Sequence, residues 1–327
     1  MNILFRVDSG KEVGIGHVIR CIALAQQLTD QNVYFLCRKA EGNANALIES
    51  SGFKVIELEV GIPEEKDAFK TLEVIDRNNI ATVIVDHYGL GIAWEDKIKS
   101  SMNLVVIDDY PDRKHNAHLW IDSGRQPTVT DNEYNLFGPE YCLLRKDFIQ
   151  LRNLAISERN KTKTIDRILI SFGGTDINGL TIATVNQLRG NGFQGEIVLL
   201  VASGIKNFSD IRMLENVTLH IDKIHVADIL LDCDFSVGAL GGSAWERCCM
   251  GLPSISIKLA DNQNNIEAML VENNATVLIE SIDDQLGSAL KPILNNDITW
   301  WKKMSDECFK LCDAQGAIRV AERVLSI

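Results

Sequence analysis

Residues 14–17 read Gly-Ile-Gly-His. They follow an apolar run at residues 3–7 and precede Val18, Ile22, Ala25 and Leu28, which recur at helical spacing, so the histidine stands at a strand-to-helix turn. Ligands of open α/β sheets bind at such turns. Gly14 and Gly16 permit positive φ and close backbone approach, and a helix N-terminus offers free N–H groups to an anion. An imidazole there, His17, is suited to proton transfer near neutral pH; the plainer alternative is that it caps the helix. The nearest competing motif is the dinucleotide fingerprint G-x-G-x-x-G. Here Ile19 stands at the third glycine and the second strand ends in Arg38 instead of an acid, which disfavours a nicotinamide dehydrogenase.

The second half carries two more glycine turns. Residues 171–176 read Ser-Phe-Gly-Gly-Thr-Asp, where Gly173, Gly174 and Thr175 can present N–H and hydroxyl donors to phosphate. An ordinary turn with Asp176 as helix N-cap is the alternative. Residues 238–246 read Gly-Ala-Leu-Gly-Gly-Ser-Ala-Trp-Glu and give the stronger signal, with Gly241, Gly242 and Ser243 opening a helix. Glu246 is expected in its first turn, either answering the helix dipole or accepting two ribose hydroxyls. Two such loops suggest a bound diphosphate. Further on, Asn262 and Gln263 follow a strand and can hydrogen-bond a sugar without adding charge, or the segment simply caps a helix. In the first half, Asp86-His87-Tyr88 closes a strand. There His87 reads as a satisfied polar group, whereas Tyr88 can donate to a substrate oxygen or orient His17.

The elements that must hold these residues alternate strand and helix, as in a parallel sheet with crossover helices. Strand-like runs fall at residues 3–7, 33–37, 54–58, 82–86, 104–108 and 119–122, and a second series at 167–172, 196–201, 217–221, 234–237, 253–257 and 276–279. With 327 residues there is room for two ordinary domains. The expected division is 1–152, a polar linker at 153–166, a second domain at 167–298, and C-terminal helices at 299–327 that return to the first domain. A net charge of −12 without a polybasic run argues against nucleic acid or anionic membrane as partner. Eight cysteines occur without C-x-x-C, and Cys248/Cys249 and Cys308/Cys312 lack partner histidines, so no zinc site is expected and the thiols read as buried and reduced. The reading is a soluble, cytoplasmic monomer.

Together FRVDSG, GIGHVIRC, DHYGL, LLRKDF, SFGGTD, GALGGSAWERCCMGLPSI and DNQ, in this order over nearly the whole chain, resemble the UDP-2,4-diacetamido-2,4,6-trideoxy-β-L-altropyranose hydrolase family of pseudaminic acid biosynthesis. The resemblance implies the α/β GT-B fold, similar to the peptidoglycan N-acetylglucosaminyltransferase: two Rossmann-like domains with parallel sheets facing across a cleft. It implies His17 as general base, Tyr88 as a cleft tyrosine, Glu246 as a nucleotide ligand, Asn262 as a sugar-contacting amide and Arg145 as a further contact. Ala244 departs from the Ser or Thr expected in that loop, which would cost one hydroxyl contact to phosphate.

The implied reaction is inverting hydrolysis at the anomeric carbon. His17 deprotonates the attacking water, and the glycine loops with Ser243 stabilise the departing UDP. No cofactor and no metal are expected, and the only implied partner is the UDP-sugar. The alternatives are a GT-B glycosyltransferase using a UDP-N-acetylamino sugar, a UDP-sugar epimerase, and a non-catalytic UDP-sugar-binding protein.

Overall fold

The structure is a computed structural model that describes residues 1–11, 13–110, 113–129, 131–174, 176 and 179–327. The chain divides into two compact units, Met1–Arg145 with Gln315–Ile327, and Lys146–Ala314.

The first unit is built on a sheet of β1 (Asn2–Val7), β2 (Asn32–Arg38), β3 (Lys54–Leu58), β4 (Thr82–Asp86), β5 (Asn103–Ile107), β6 (Leu119–Asp122) and the two-residue β7 (Leu136–Phe137). Their spatial order is β3-β2-β1-β4-β5-β6-β7, every pairing parallel. Helices cover both faces, so the strands are apolar on both sides. In β1, Ile3, Phe5 and Val7 enter one core cluster and Leu4 the opposite one. Arg6 lies fully buried on the Leu4 side.

The second unit repeats the order with β8 (Arg167–Ser171), β9 (Glu196–Val201), β10 (Val217–Ile221), β11 (Phe235–Ala239), β12 (Ser254–Ile257) and β13 (Val277–Ile279), arranged β10-β9-β8-β11-β12-β13 and all parallel. In each unit the order reverses beside the first strand, between β1 and β4 and between β8 and β11. A crevice opens there at the carboxyl ends of the strands. Each unit is a doubly wound, Rossmann-like α/β body.

Two expectations about organisation change. The polar stretch 153–166 is largely helical: Lys146–Lys161 is one helix of the second unit, burying only Phe148, Ala155 and Arg159. Its remaining residues are half-buried or exposed, so a narrow fully buried stripe on a long helix reads as linker composition. The C-terminal helices also part company. Helix Ile298–Leu311 belongs to the second unit, where Trp301 is fully buried and donates to the Asp234 carbonyl at 2.6 Å. Helix Gly316–Leu325 joins the first unit, with Val320, Ala321 and Val324 in the core cluster of β1. Gly316 is needed there, because a Cβ would lie 2.2 Å from the Cys142 carbonyl.

Candidate functional site

His17 is the second residue of helix Gly16–Ala25 and is 9% exposed. The turn before it is closed by backbone hydrogen bonds between Gly10 and Gly14, and Gly14 takes φ +76°. β1 and β4 flank the reversal point, so the turn after β1 meets the end of β4, and His17 Nδ1 lies 2.5 Å from Asp86 Oδ1. Asp86 is buried and also receives Arg20 Nε at 2.6 Å and Arg20 Nη2 at 2.6 Å. Arg20 stands one helical turn beyond His17 and donates further to Asp109 at 2.9 Å. The Tyr88 hydroxyl donates to the other Asp109 oxygen, and its ring meets the imidazole edge-on with centroids 4.6 Å apart.

These contacts fix charge states and a tautomer. Burial pushes the Asp86 carboxyl up, but the charges of Arg20 and His17 and their hydrogen bonds outweigh it and hold Asp86 below the ordinary carboxylate range. Asp109 behaves alike, burial being outweighed by Arg20 and by the Tyr88 hydrogen bond. Burial and the neighbouring Asp109 charge push the Tyr88 phenol up, so it stays protonated. Arg20 Nη2 also lies 3.1 Å from His17 Nδ1. A guanidinium only donates and a carboxylate only accepts, so Nδ1 can serve one of them. The shorter contact assigns it a proton, donated to Asp86. In the neutral form of the ring the lone pair is then on Nε2, the arrangement a carboxylate-oriented general base requires.

A second charged cluster lies next to the first. Arg6 pairs with Asp8 at 2.7 Å and Asp67 at 2.7 Å, and Arg38 donates to Asp67 at 3.0 Å. His87 donates from Nε2 to Asp8 at 2.9 Å and accepts the Gly89 N–H at Nδ1. Both ring nitrogens are engaged, so His87 is structural.

In the second unit the glycine loops end β8 and β11. Gly173 has φ +81°, and around Gly173, Gly174, Gly241 and Gly242 an added Cβ would meet nothing within 4 Å. These backbones border open space. Helix Gly242–Cys249 begins without a side-chain cap and without an acid in its first turn, leaving its first N–H groups available. Glu246 lies one turn further in than the sequence suggests. Ala244 is buried. The N-cap of helix Leu180–Gly190 is Gly179 and not Asp176, whose carboxylate, three residues earlier, accepts the N–H groups of Leu180 and Thr181. Thr175 lies outside the described residues. Asn262 and Gln263 form a half-buried helical turn, Asp261–Gln263, after β12, and Gln263 accepts the Leu259 N–H at 2.7 Å. Arg145 is buried at the close of the first unit's main segment.

The sequence reading missed Arg20, Asp109 and Asp86 as partners of His17. Arg20 was visible at i+3 from His17, and each acid ends or follows a strand at the same sheet edge. It also missed that Cys248 meets Cys308 and Cys249 meets Cys312, where the hydrogen bonds to those partners and burial push the Cys248 and Cys249 thiols up, so that these two stay protonated. All eight cysteines are buried as thiols, none in a disulfide. Among the described residues no cluster of three His, Cys, Asp or Glu side chains is arranged to hold a metal ion, and no helix is long and apolar enough to cross a membrane. A depression of about 860 Å³ lined by Arg167, Arg189, Glu196 and Asp232 lies at the amino ends of β8 and β9, opposite the glycine loops.

Over its whole length the chain superposes on MurG of Acinetobacter baumannii with a TM-score of 0.73 at 13% identity, covering 100% of this chain and 99% of that one. It superposes on the Streptomyces glycosyltransferase SsfS6, complexed with thymidine diphosphate, with a TM-score of 0.63 at 14% identity and 99% of each chain covered. The fold is that of the GT-B glycosyltransferases. In sequence the chain is 26% identical over 243 residues to the UDP-2,4-diacetamido-2,4,6-trideoxy-β-L-altropyranose hydrolase of Campylobacter jejuni, covering 70% of this chain and 81% of that one. It is 24% identical over 274 residues to an uncharacterised protein of Methanocaldococcus jannaschii, covering 78% of this chain. The chain spans about half (55%) of that archaeal relative. No family model matches the chain.

Proposed function

We propose that the protein is a UDP-sugar hydrolase that releases UDP from UDP-2,4-diacetamido-2,4,6-trideoxy-β-L-altropyranose by inverting C–O cleavage at the anomeric carbon. The observation that carries the reading is the 2.5 Å contact of His17 Nδ1 with buried Asp86, which leaves Nε2 as the basic nitrogen of the neutral ring. Water attacks C1 and yields its proton to His17 Nε2. The bond from C1 to the β-phosphate oxygen breaks, and its electron pair leaves with UDP. Asp86 stabilises the imidazolium so formed, and Arg20 keeps Asp86 ionised throughout. The backbone N–H groups of Gly242 and Ser243, with the Gly173–Gly174 turn, receive the charge that develops on the diphosphate. A diphosphate is a good leaving group, which relieves the site of the need for a general acid. Glu246, Asn262, Gln263, Thr175 and Arg145 are the proposed contacts to nucleoside and sugar, and neither metal nor cofactor takes part. The similarity to the Campylobacter hydrolase supports water over other acceptors.

A glycosyltransferase using a UDP-N-acetylamino sugar is the second reading, favoured by the transferase neighbours of the fold. The two differ in what meets His17. UDP release is measured from UDP-2,4-diacetamido-trideoxyhexoses and UDP-N-acetylglucosamine, without acceptor and with chelator, following the sugar by NMR. Rapid release from the altro sugar, with inverted configuration at first appearance, is expected. Release only after an acceptor hydroxyl is added would move the assignment to transferase.

A further inference from the structure

Arg247 is 3% exposed in helix Gly242–Cys249. It belongs to the last turn, but side chains on a helix slant toward its N-terminus, and the guanidinium runs back to the start. Nη2 donates to the Ala239 carbonyl at 2.8 Å, and Nη1 reaches the Ser243 hydroxyl at 3.3 Å. Nη1 would lie 3.4 Å from a Cβ at Gly238, whose own site is closed by the Ser171 carbonyl at 2.4 Å. The charged head therefore sits under the ends of β8 and β11, at the reversal point, beneath the turn that opens the helix.

Its electrostatic situation is unlike that of Arg6 and Arg159, which are also buried. Arg6 has two carboxylates. Arg159 has the carbonyls of Leu230, Leu231 and Met250, at the negative ends of helices Ala227–Asp232 and Gly242–Cys249. Arg247 has no ion pair among the described residues, and its Nε is buried without a hydrogen-bond partner. Glu246, its neighbour in the chain, attracts it only through space. Below it lie neutral hydroxyls, Ser256 at 3.4 Å and behind that Thr276 and Ser254. A guanidinium does not discharge by losing a proton, and here it occupies the positive end of a helix, where a second cation is unfavourable. Four glycines beside it border open space.

We infer that Arg247 is a positioning residue for the anionic end of the ligand: a buried cation, left without a protein counter-ion, that holds the Ser243 turn and is neutralised when a nucleoside diphosphate docks at the helix N-terminus. The inference rests on the nucleotide-sugar reading above and deepens it. It assigns to one residue a preference for diphosphate over nucleoside. A charge retained without a partner lowers the stability of the empty protein, and its removal by an apolar side chain of similar length does not.

The test uses the full chain, with UDP, uridine and inorganic pyrophosphate titrated by calorimetry against wild type, Arg247→Met and Arg247→Gln, and melting followed without ligand. UDP and pyrophosphate affinities are expected to fall roughly 10- to 100-fold in both variants, as loss of a charged partner implies. Uridine affinity stays within about twofold, on the principle that an uncharged ligand does not respond to the lost charge. Ligand-free Arg247→Met melts no lower than wild type. Equal losses for UDP and uridine, unchanged UDP affinity, or an Arg247→Met chain that fails to fold would each overturn the inference, the last because the guanidinium's own contacts would then be holding the loop. Wild type that binds neither UDP nor pyrophosphate would overturn the nucleotide reading and this inference together.

Discussion

The glycine turns beside the reversal points of the two units share strand order and position yet treat charge in opposite ways. In the first, the buried or half-buried arginines of the turn's two charged clusters have acids: Arg20 has Asp86 and Asp109, and Arg6 and Arg38 share Asp8 and Asp67. In the second, Arg247 has none among the described residues, and the turn opens a helix with no acid in its first turn. A self-neutralised network holds side chains still, which suits a group that must accept a proton in one direction. A site with unanswered positive potential is completed by its ligand. The difference teaches that the same topology can be spent on orientation in one unit and on anion binding in the other.

The largest effect that would break this comparison comes from His17→Asn. UDP release should drop by roughly 10²- to 10⁴-fold, the usual contribution of a general base, while UDP affinity stays near wild type. Turnover that survives the substitution removes His17 as base. Asp86→Asn comes next. It keeps the shape but takes the counter-charge from Arg20, and breaking a buried pair costs on the order of 3–5 kcal/mol of stability. Turnover should fall about 10²-fold as the imidazole loses its orienting carboxylate. A variant that is destabilised yet fully active would show the contact to be structural.

Asp122 is the exception within the first unit, and it sharpens the contrast. It ends β6, buried, and accepts only the backbone N–H groups of Gly124 and Arg125 among the described contacts. Burial, partly offset by the Gly124 N–H, and the charge of Asp109 push it up to about 7. The folded protein thus holds this proton more tightly than the unfolded chain. Stability is lost as pH rises from the ordinary carboxylate range to about 7. Asp122→Asn should melt higher than wild type at pH 8, by roughly 2–4 kcal/mol in stability, and nearly alike at pH 4. Equal shifts at both pH values would refute the assignment.

The smallest effect concerns His115, packed between Glu95 at 2.7 Å and Asp108 at 3.4 Å. Burial pushes its imidazole down, but hydrogen bonding to the Asp108 and Glu95 carboxylates and their charges outweigh burial and raise it. Its contribution is complete below the ordinary imidazole value and is lost as pH rises through the raised one. His115→Gln should therefore cost stability near pH 5.5 and progressively less above neutrality, measured by denaturant melts. A cost independent of pH would show that packing against Trp120 matters more than charge.

Much of the fold was legible in the chain because strands buried on both faces are nearly continuous apolar runs. The runs at 54–58, 82–86, 119–122, 196–201 and 217–221 coincide with β3, β4, β6, β9 and β10. β7 was missed because two residues carry no periodicity. Helix Lys146–Lys161 was read as linker because its buried stripe is three residues wide over sixteen. At the candidate site, the turns were legible because glycine spacing is local. Which acid faces His17 was not, since Asp86 is 69 residues away.

The sequence by itself determined two α/β series, their glycine turns and the titratable residue types beside them, because strand and helix periodicity and the conformational demands of glycine act over a few residues. Only the tertiary structure decided that His17 Nδ1 faces Asp86, that Arg20 neutralises it, and that Arg247 is buried without a counter-ion. Those are properties of strand order and burial, which join residues distant in the chain and set the dielectric in which their charges act.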